Sequence, residues 1–115
     1  MTGWDCSGLV VEVLKAIGLV SGQFDASAHT LYTMTKDGGT LRPVPHALAF
    51  YGKNNSVTHV GYCISPTHMV ESGSGDSKTV NLDMAIKQQA FVRIRPIFGR
   101  KDWLACHIPN ASHFS

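Results

Sequence analysis

The chain has 115 residues, of which 43% are hydrophobic and 16% are charged, and its formal net charge is +2. This length fits a single domain, residues 1–115, with a modest core, and the composition excludes a disordered tail and a coiled coil. So small a charge gives no argument for nucleic-acid binding. One short basic cluster is interpreted as a solvated or anion-tolerant face: Arg93, Arg95, Arg100 and Lys101.

The cysteines and the apolar runs exclude further classes. The three cysteines are widely spaced and odd in number, which predicts neither a disulfide framework nor a structural zinc site. The apolar run at residues 9–20 is interrupted by Glu12 and Lys15 and is too short to span a bilayer. No Lys or Arg precedes this run, so an export signal is not expected in the chain.

Two helices are predicted in the first third of the chain. Apolar residues at helical spacing predict a helix over residues 7–19, with Asp5 or Ser7 as its N-cap and glycines at its end. A second, weaker helix is predicted over residues 26–34, capped by Asp25 or Ser27. The pair Gly38-Gly39 ends it.

Strand-like runs dominate the rest of the chain. Strands are predicted at residues 47–51, 57–64, 68–72, 79–82 and 91–97, with one or two helical turns over 83–89. The tail from residue 99 shows no clear period. Helices followed by a strand meander predict the α+β class with an antiparallel sheet, a helix being packed on it.

Cys6 is the first candidate for chemistry. It stands where a polar turn, Asp5 to Gly8, gives way to the first predicted helix. A thiol at a helix N-terminus lies beside unpaired N–H groups and the positive end of the helix dipole, which favour the nucleophilic thiolate. A buried packing role is the alternative, since cysteine is among the most buried residue types.

His59 is the candidate base. Strand alternation places Val57, His59, Gly61 and Cys63 on one face, and Gly61 leaves room there if the Cys6 helix packs over that face. The structural alternative is a half-buried histidine with satisfied hydrogen bonds. Cys63 on the same face lies either near the site or in inert packing.

A third polar group is needed to orient the histidine, and Glu71 is the candidate. It follows one short turn after the His59 strand, so it is expected to lie across a hairpin. A solvated carboxylate at a strand end is the alternative, and His68 is the competing orienting residue. A second pair, Cys106-His107, is discounted because adjacent residues in an extended segment point in opposite directions.

These segments together resemble the NlpC/P60 family of cell-wall cysteine peptidases. The resemblance rests on Asp5-Cys6-Ser7-Gly8-Leu9-Val10, then His59-Val60-Gly61-Tyr62, then Met69-Val70-Glu71-Ser72, and it covers about residues 3–97. It implies a papain-like fold in which a helix carrying the nucleophile packs on a small antiparallel sheet carrying the base. The family's tyrosine-bearing segment upstream of the cysteine has no counterpart here, so the domain is expected to be shortened at its N-terminus.

The resemblance also implies a function. Cys6 would be the nucleophile, His59 the general base and Glu71 the orienting group, where family members more often have histidine. The implied reaction is hydrolysis of peptidoglycan stem peptides at the bond between D-γ-glutamyl and a diamino acid. No metal or organic cofactor is implied, and the expected location is the cell envelope, the exterior or a virion. The alternatives are a CHAP-like amidase and a non-catalytic binding or assembly module of a phage tail or secretion system.

Overall fold

The computed structural model describes residues 6–54, 56–72 and 92–114. Its helices are α1 (Cys6–Ala16) and α2 (Ala28–Met34), and short 3₁₀ turns follow at Lys36–Gly38, Ile97–Gly99 and Ala111–Phe114. Its strands are β1 (Gly39–Thr40), β2 (Leu48–Lys53), β3 (Ser56–Cys63), β4 (His68–Ser72), β5 (Val92–Pro96) and β6 (Trp103–His107). The strand expected at 79–82 and the helical turns expected at 83–89 lie outside the described residues.

Both predicted helices are present, with shifted ends. α1 ends at Ala16, three residues earlier than expected, because Gly18 adopts the left-handed conformation (φ 83°) and the Leu19 N–H donates to the Leu14 carbonyl at 3.0 Å. Ser27 caps α2, since its side chain accepts a hydrogen bond from the Thr30 N–H. Neither helix of the described ranges is long and apolar enough to cross a membrane.

The strands form one antiparallel sheet in the order β1-β6-β2-β3-β4-β5, so the predicted α+β class is confirmed. The tail, from which no element was predicted, supplies β6, a strand inside the sheet between β1 and β2. Its period is broken because Phe50 pairs with Ala105 while Tyr51 pairs with Trp103, leaving Leu104 as a bulge. The folded unit therefore extends well beyond residue 97.

The sheet has two differently covered faces. The helix face packs against α1 and α2 and carries Leu48, Phe50, Val57, Val60 and Tyr62. The second face packs against Ile97, Val44 and Trp103 and carries Ala47, Ala49, Tyr51, Cys63, Met69 and Cys106.

The prediction that Val57 and His59 share one face of the sheet is wrong, because β3 contains a bulge. Tyr51 pairs with His59 but Gly52 pairs with Val57, so Thr58 is an extra residue in β3. Val57 consequently joins the helix face, whereas His59 lies beside Tyr51 on the second face. Gly61 does not make room for α1, because an added Cβ there would lie 2.3 Å from Sδ of Met69.

Candidate active site

Cys6 is the first residue of α1 and lies at the bulge of β3. Its thiol is partly exposed and donates to the carbonyl oxygen of Thr58 across 3.8 Å, a long contact typical of sulfur. The N–H groups of the first residues of a helix have no acceptors inside that helix, and they form the positive end of its dipole. The predicted position of Cys6 at a helix start is therefore confirmed.

His59 and Glu71 form a partly buried hydrogen bond. Nε2 of His59 lies 2.6 Å from Oε1 of Glu71, whose side chain has no exposed surface, while that of His59 is 12% exposed. The two residues come from neighbouring strands, in which Tyr62 pairs with Val70. The structure thus brings Glu71 across the hairpin as expected, but as a fully buried group and not as a solvated strand end.

The carboxylate of Glu71 is ionised in this position. Burial alone would raise its pKa, but hydrogen bonds from His59, Arg93 and Arg95 outweigh burial and lower the pKa to about 2. An ionised carboxylate only accepts hydrogen bonds, so Nε2 of His59 carries the proton between them. The lone pair of the neutral imidazole is therefore on Nδ1.

The charged form of His59 is stabilised as well. Burial lowers the pKa of His59, but its hydrogen-bond interactions with Cys6 and with Glu71 outweigh burial, so the pKa lies above its ordinary value of 6.5. A cation on His59 is thus favoured both by the Glu71 carboxylate and by the Cys6 sulfur. A thiol, an imidazole and a carboxylate in this order can transfer a proton from sulfur to nitrogen.

Two arginines of β5 complete the surroundings of Glu71. Nε of Arg93 lies 2.9 Å and Nη1 of Arg95 lies 3.3 Å from Oε2 of the carboxylate. The interpretation of a solvated or anion-tolerant face holds in part for this pair, because the side chains remain 50% and 29% exposed while both bind a buried anion of the same chain. The alternation of residues 91–97 carried the signal, since it placed Arg93 and Arg95 on one side of a strand.

Tyr51 and Arg100 flank the imidazole, and sequence reasoning missed both. The ring centroids of Tyr51 and His59 are 5.5 Å apart, and the Tyr51 hydroxyl donates to the Ile97 carbonyl at 2.6 Å. The guanidinium of Arg100 lies 5.1 Å from the centroid of the Tyr51 ring and is held by Asp102. Burial raises the pKa of Tyr51, so its phenol is neutral and its ring packs against the imidazole.

The competing candidates lie elsewhere. His68 is exposed at the other end of β4, where its Nδ1 lies 2.8 Å from the Thr67 hydroxyl. Cys63 and Cys106 are buried and free, and their thiols interact with each other. His107 packs against Tyr32 on the opposite face from Cys106, as expected for adjacent strand residues.

Neither a metal site in the described residues nor a family assignment was found. Within residues 6–54, 56–72 and 92–114, no group of three or more His, Cys, Asp or Glu side chains is arranged to hold a metal ion. Comparison of the chain with models of known protein families and with curated proteins gave no match.

Proposed function

We propose that this chain is a cysteine hydrolase of the NlpC/P60 type that cleaves peptidoglycan stem peptides. The observation that supports the proposal is the His59–Glu71 hydrogen bond together with a partly exposed thiol at the start of a helix, which contacts Thr58, the neighbour of His59. This arrangement fits the activated nucleophile, base and orienting group of a cysteine hydrolase. The motif resemblance of residues 3–97 supports peptidoglycan as the substrate class and a papain-like fold.

The proposed reaction is acyl transfer from an amide to water. Sγ of Cys6 attacks the amide carbonyl after its proton passes to Nδ1 of His59, and the imidazolium then protonates the leaving amine as the C–N bond breaks. Water, deprotonated by His59, attacks the resulting thioester and releases the acid and the thiol. The backbone N–H of Cys6, at the start of α1, is the proposed donor to the oxyanion.

Incubation of the purified chain with defined muropeptides, followed by mass spectrometry of the products, tests this proposal. We expect a new carboxyl end at D-γ-glutamyl and a new amine on the diamino acid, and no product with Cys6→Ala. Cys63→Ala is the matched control, because it removes a buried thiol on the second face and should retain turnover.

Other products would point to the alternatives. Cleavage at the bond between the sugar lactyl group and the stem peptide would identify an amidase of the CHAP type. Binding of the muropeptide without turnover by the unmodified chain would indicate a binding or assembly module. Full turnover by Cys6→Ala would refute the proposed mechanism.

A further inference from the structure

The two arginines of β5 reach Glu71 because of the register between β4 and β5. Glu71 pairs directly with Arg93 and Met69 pairs with Arg95, so both arginines share the face of the sheet that carries the glutamate. Arg93 donates through Nε and Arg95 through Nη1, and both hydrogen bonds end on the same carboxylate oxygen, Oε2. The other oxygen, Oε1, is left to His59.

This division of the two oxygens has a consequence for orientation. A carboxylate bound only through Oε1 could rotate about its last torsion, since such torsions are broad. Two guanidinium groups on Oε2 restrict that rotation and keep Oε1 directed at Nε2 of His59. They also supply positive charge to an anion with no exposed surface, which would otherwise be costly to ionise.

We propose that Arg93 and Arg95 are positioning residues for the reaction, which act through Glu71 by fixing the direction and the charge of its carboxylate. His59 then keeps its proton on Nε2 and presents Nδ1 to Cys6. The importance of this for turnover rests on the proposed function, whereas the hydrogen bonds and their effect on Glu71 do not.

Further groups in the described residues face this cluster. Tyr51 from β2 packs against the His59 ring, and Arg100, paired with Asp102, lies over Tyr51 and adds positive charge near both His59 and Glu71. Cys6 interacts with His59 and raises the pKa of the imidazole. None of these groups donates a described hydrogen bond to Glu71, so removal of the two arginines tests their contribution separately.

The test compares the unmodified chain with Arg93→Met/Arg95→Met, with the charge-retaining Arg93→Lys and Arg95→Lys, and with Arg42→Met as a control. Arg42 is exposed in the loop between β1 and β2, so the control makes the same chemical change outside the site. NMR gives two readouts that need no substrate: the titration of the Glu71 carboxyl carbon, and the resonance of the proton on Nε2 of His59.

We expect the Glu71 titration midpoint to rise by about one pH unit or more in the double variant, because an opposite charge lowers a carboxyl pKa by a similar amount. The Nε2 proton should exchange faster with water. The lysine variants should keep the midpoint near that of the unmodified chain but should not restore slow exchange, since lysine retains the charge without the planar guanidinium. Turnover should fall about 10- to 100-fold in kcat with little change in KM, because misorientation of a catalytic group affects the chemical step.

The proposal would be overturned if the double variant matched Arg42→Met both in the titration midpoint of Glu71 and in the exchange rate of the Nε2 proton of His59. If the double variant does not fold, unaltered proton exchange in both lysine variants overturns it instead. A chain that cleaves no muropeptide, yet shows the expected NMR changes, would refute the proposed function and leave the role of the arginines toward Glu71 supported.

Discussion

Nε2 of His59 lies 2.6 Å from Oε1 of Glu71, and the carboxylate that accepts this hydrogen bond is completely buried. A hydrogen bond between an ionised carboxylate and an imidazole is stronger away from water, where no solvent competes for either partner. The bond therefore decides which nitrogen of His59 carries the proton. It leaves Nδ1 as the proton acceptor on the ring.

Substitutions of His59 and Glu71 should affect turnover unequally. His59→Ala removes the base, and we expect kcat/KM for muropeptide hydrolysis to fall by about 10²- to 10⁴-fold. Glu71→Gln should cost about tenfold, because the amide oxygen still accepts the Nε2 proton while the negative charge is lost. Glu12→Gln, on the exposed side of α1, is the matched control and should leave turnover unchanged. A larger loss for Glu71→Gln than for His59→Ala would show that Glu71 does more than orient the base.

Alkylation should separate the three cysteines. Cys6 is partly exposed, whereas Cys63 and Cys106 have no exposed surface. We expect iodoacetamide to modify Cys6 in the folded chain and all three thiols in urea, as read peptide by peptide by mass spectrometry. His59→Ala should slow the modification of Cys6 at neutral pH, since its thiol then lacks a proton acceptor. An unchanged rate in that variant would show that the two side chains are not coupled.

The stability of the fold should depend on pH through Glu71 and His59. The folded pKa of Glu71 is about 2 and its ordinary value is 4.5, so its contribution to stability is present above pH 4.5 and is lost as the pH falls toward 2. The folded pKa of His59 is raised, so its contribution is complete below pH 6.5 and is lost as the pH rises through the folded value. We therefore expect the contribution of this pair to be largest between about pH 4.5 and 6.5.

Urea denaturation across this range measures the effect. The free energy of unfolding of Glu71→Gln should show a weaker dependence on pH below 4.5 than that of the unmodified chain. Glu12→Gln should retain the full dependence, because its carboxylate belongs to an exposed i,i+3 pair. Equal acid sensitivity of Glu71→Gln and the unmodified chain would contradict the prediction.

Much of the fold followed from periodicity, and two of the exceptions are caused by bulges. α1, α2 and the strands β2 to β5 were predictable because their periodicity is a local signal. β6 was not, since the bulge at Leu104 breaks its alternation. The bulge at Thr58 likewise reversed the expected position of Val57 relative to His59. A bulge is set by pairing with another strand, which local sequence does not report.

The candidate site was predictable to the same extent. The short turn between β3 and β4 made the approach of Glu71 to His59 a local inference. The contact of Arg93 with Glu71 depends on the register of β4 with β5, two strands that are separated by residues 73–91 along the chain. The same register brings both arginines to Glu71, so the anion that they bind could not be identified from the sequence. Long-range register is the information that a single sequence lacks.

The hairpin that positions His59 should be sensitive to Gly52. A Cβ added there would lie 2.0 Å from the carbonyl oxygen of Ser56 and 3.0 Å from Cα of Val57, both main-chain atoms that cannot move without opening the hairpin. We expect Gly52→Ala to lower the free energy of unfolding by about 1–3 kcal/mol, measured in urea. Gly22→Ala is the control, because no atom lies within 4 Å of its added Cβ, and its effect should stay within about 0.5 kcal/mol. Equal stability of the two variants would contradict the close approach at Gly52.

Removal of β6 should prevent folding altogether. The strand lies between β1 and β2, and its loss would expose the edge of β2 together with Phe50 and Tyr51, which are fully buried. We expect a chain of residues 1–99 to lack the cooperative urea transition of the full chain.

A chain of residues 1–109 is the matched comparison, because it keeps β6 but lacks the last 3₁₀ turn and the Phe24–Phe114 and Asp37–His113 contacts. It should fold with reduced stability, since those contacts add to the core but belong to no strand of the sheet. A cooperative transition in residues 1–99 would show that the strands predicted up to residue 97 suffice, and that β6 is an addition to the fold and not a part of its core. The two truncations therefore separate a need for β6 from a need for the final turn.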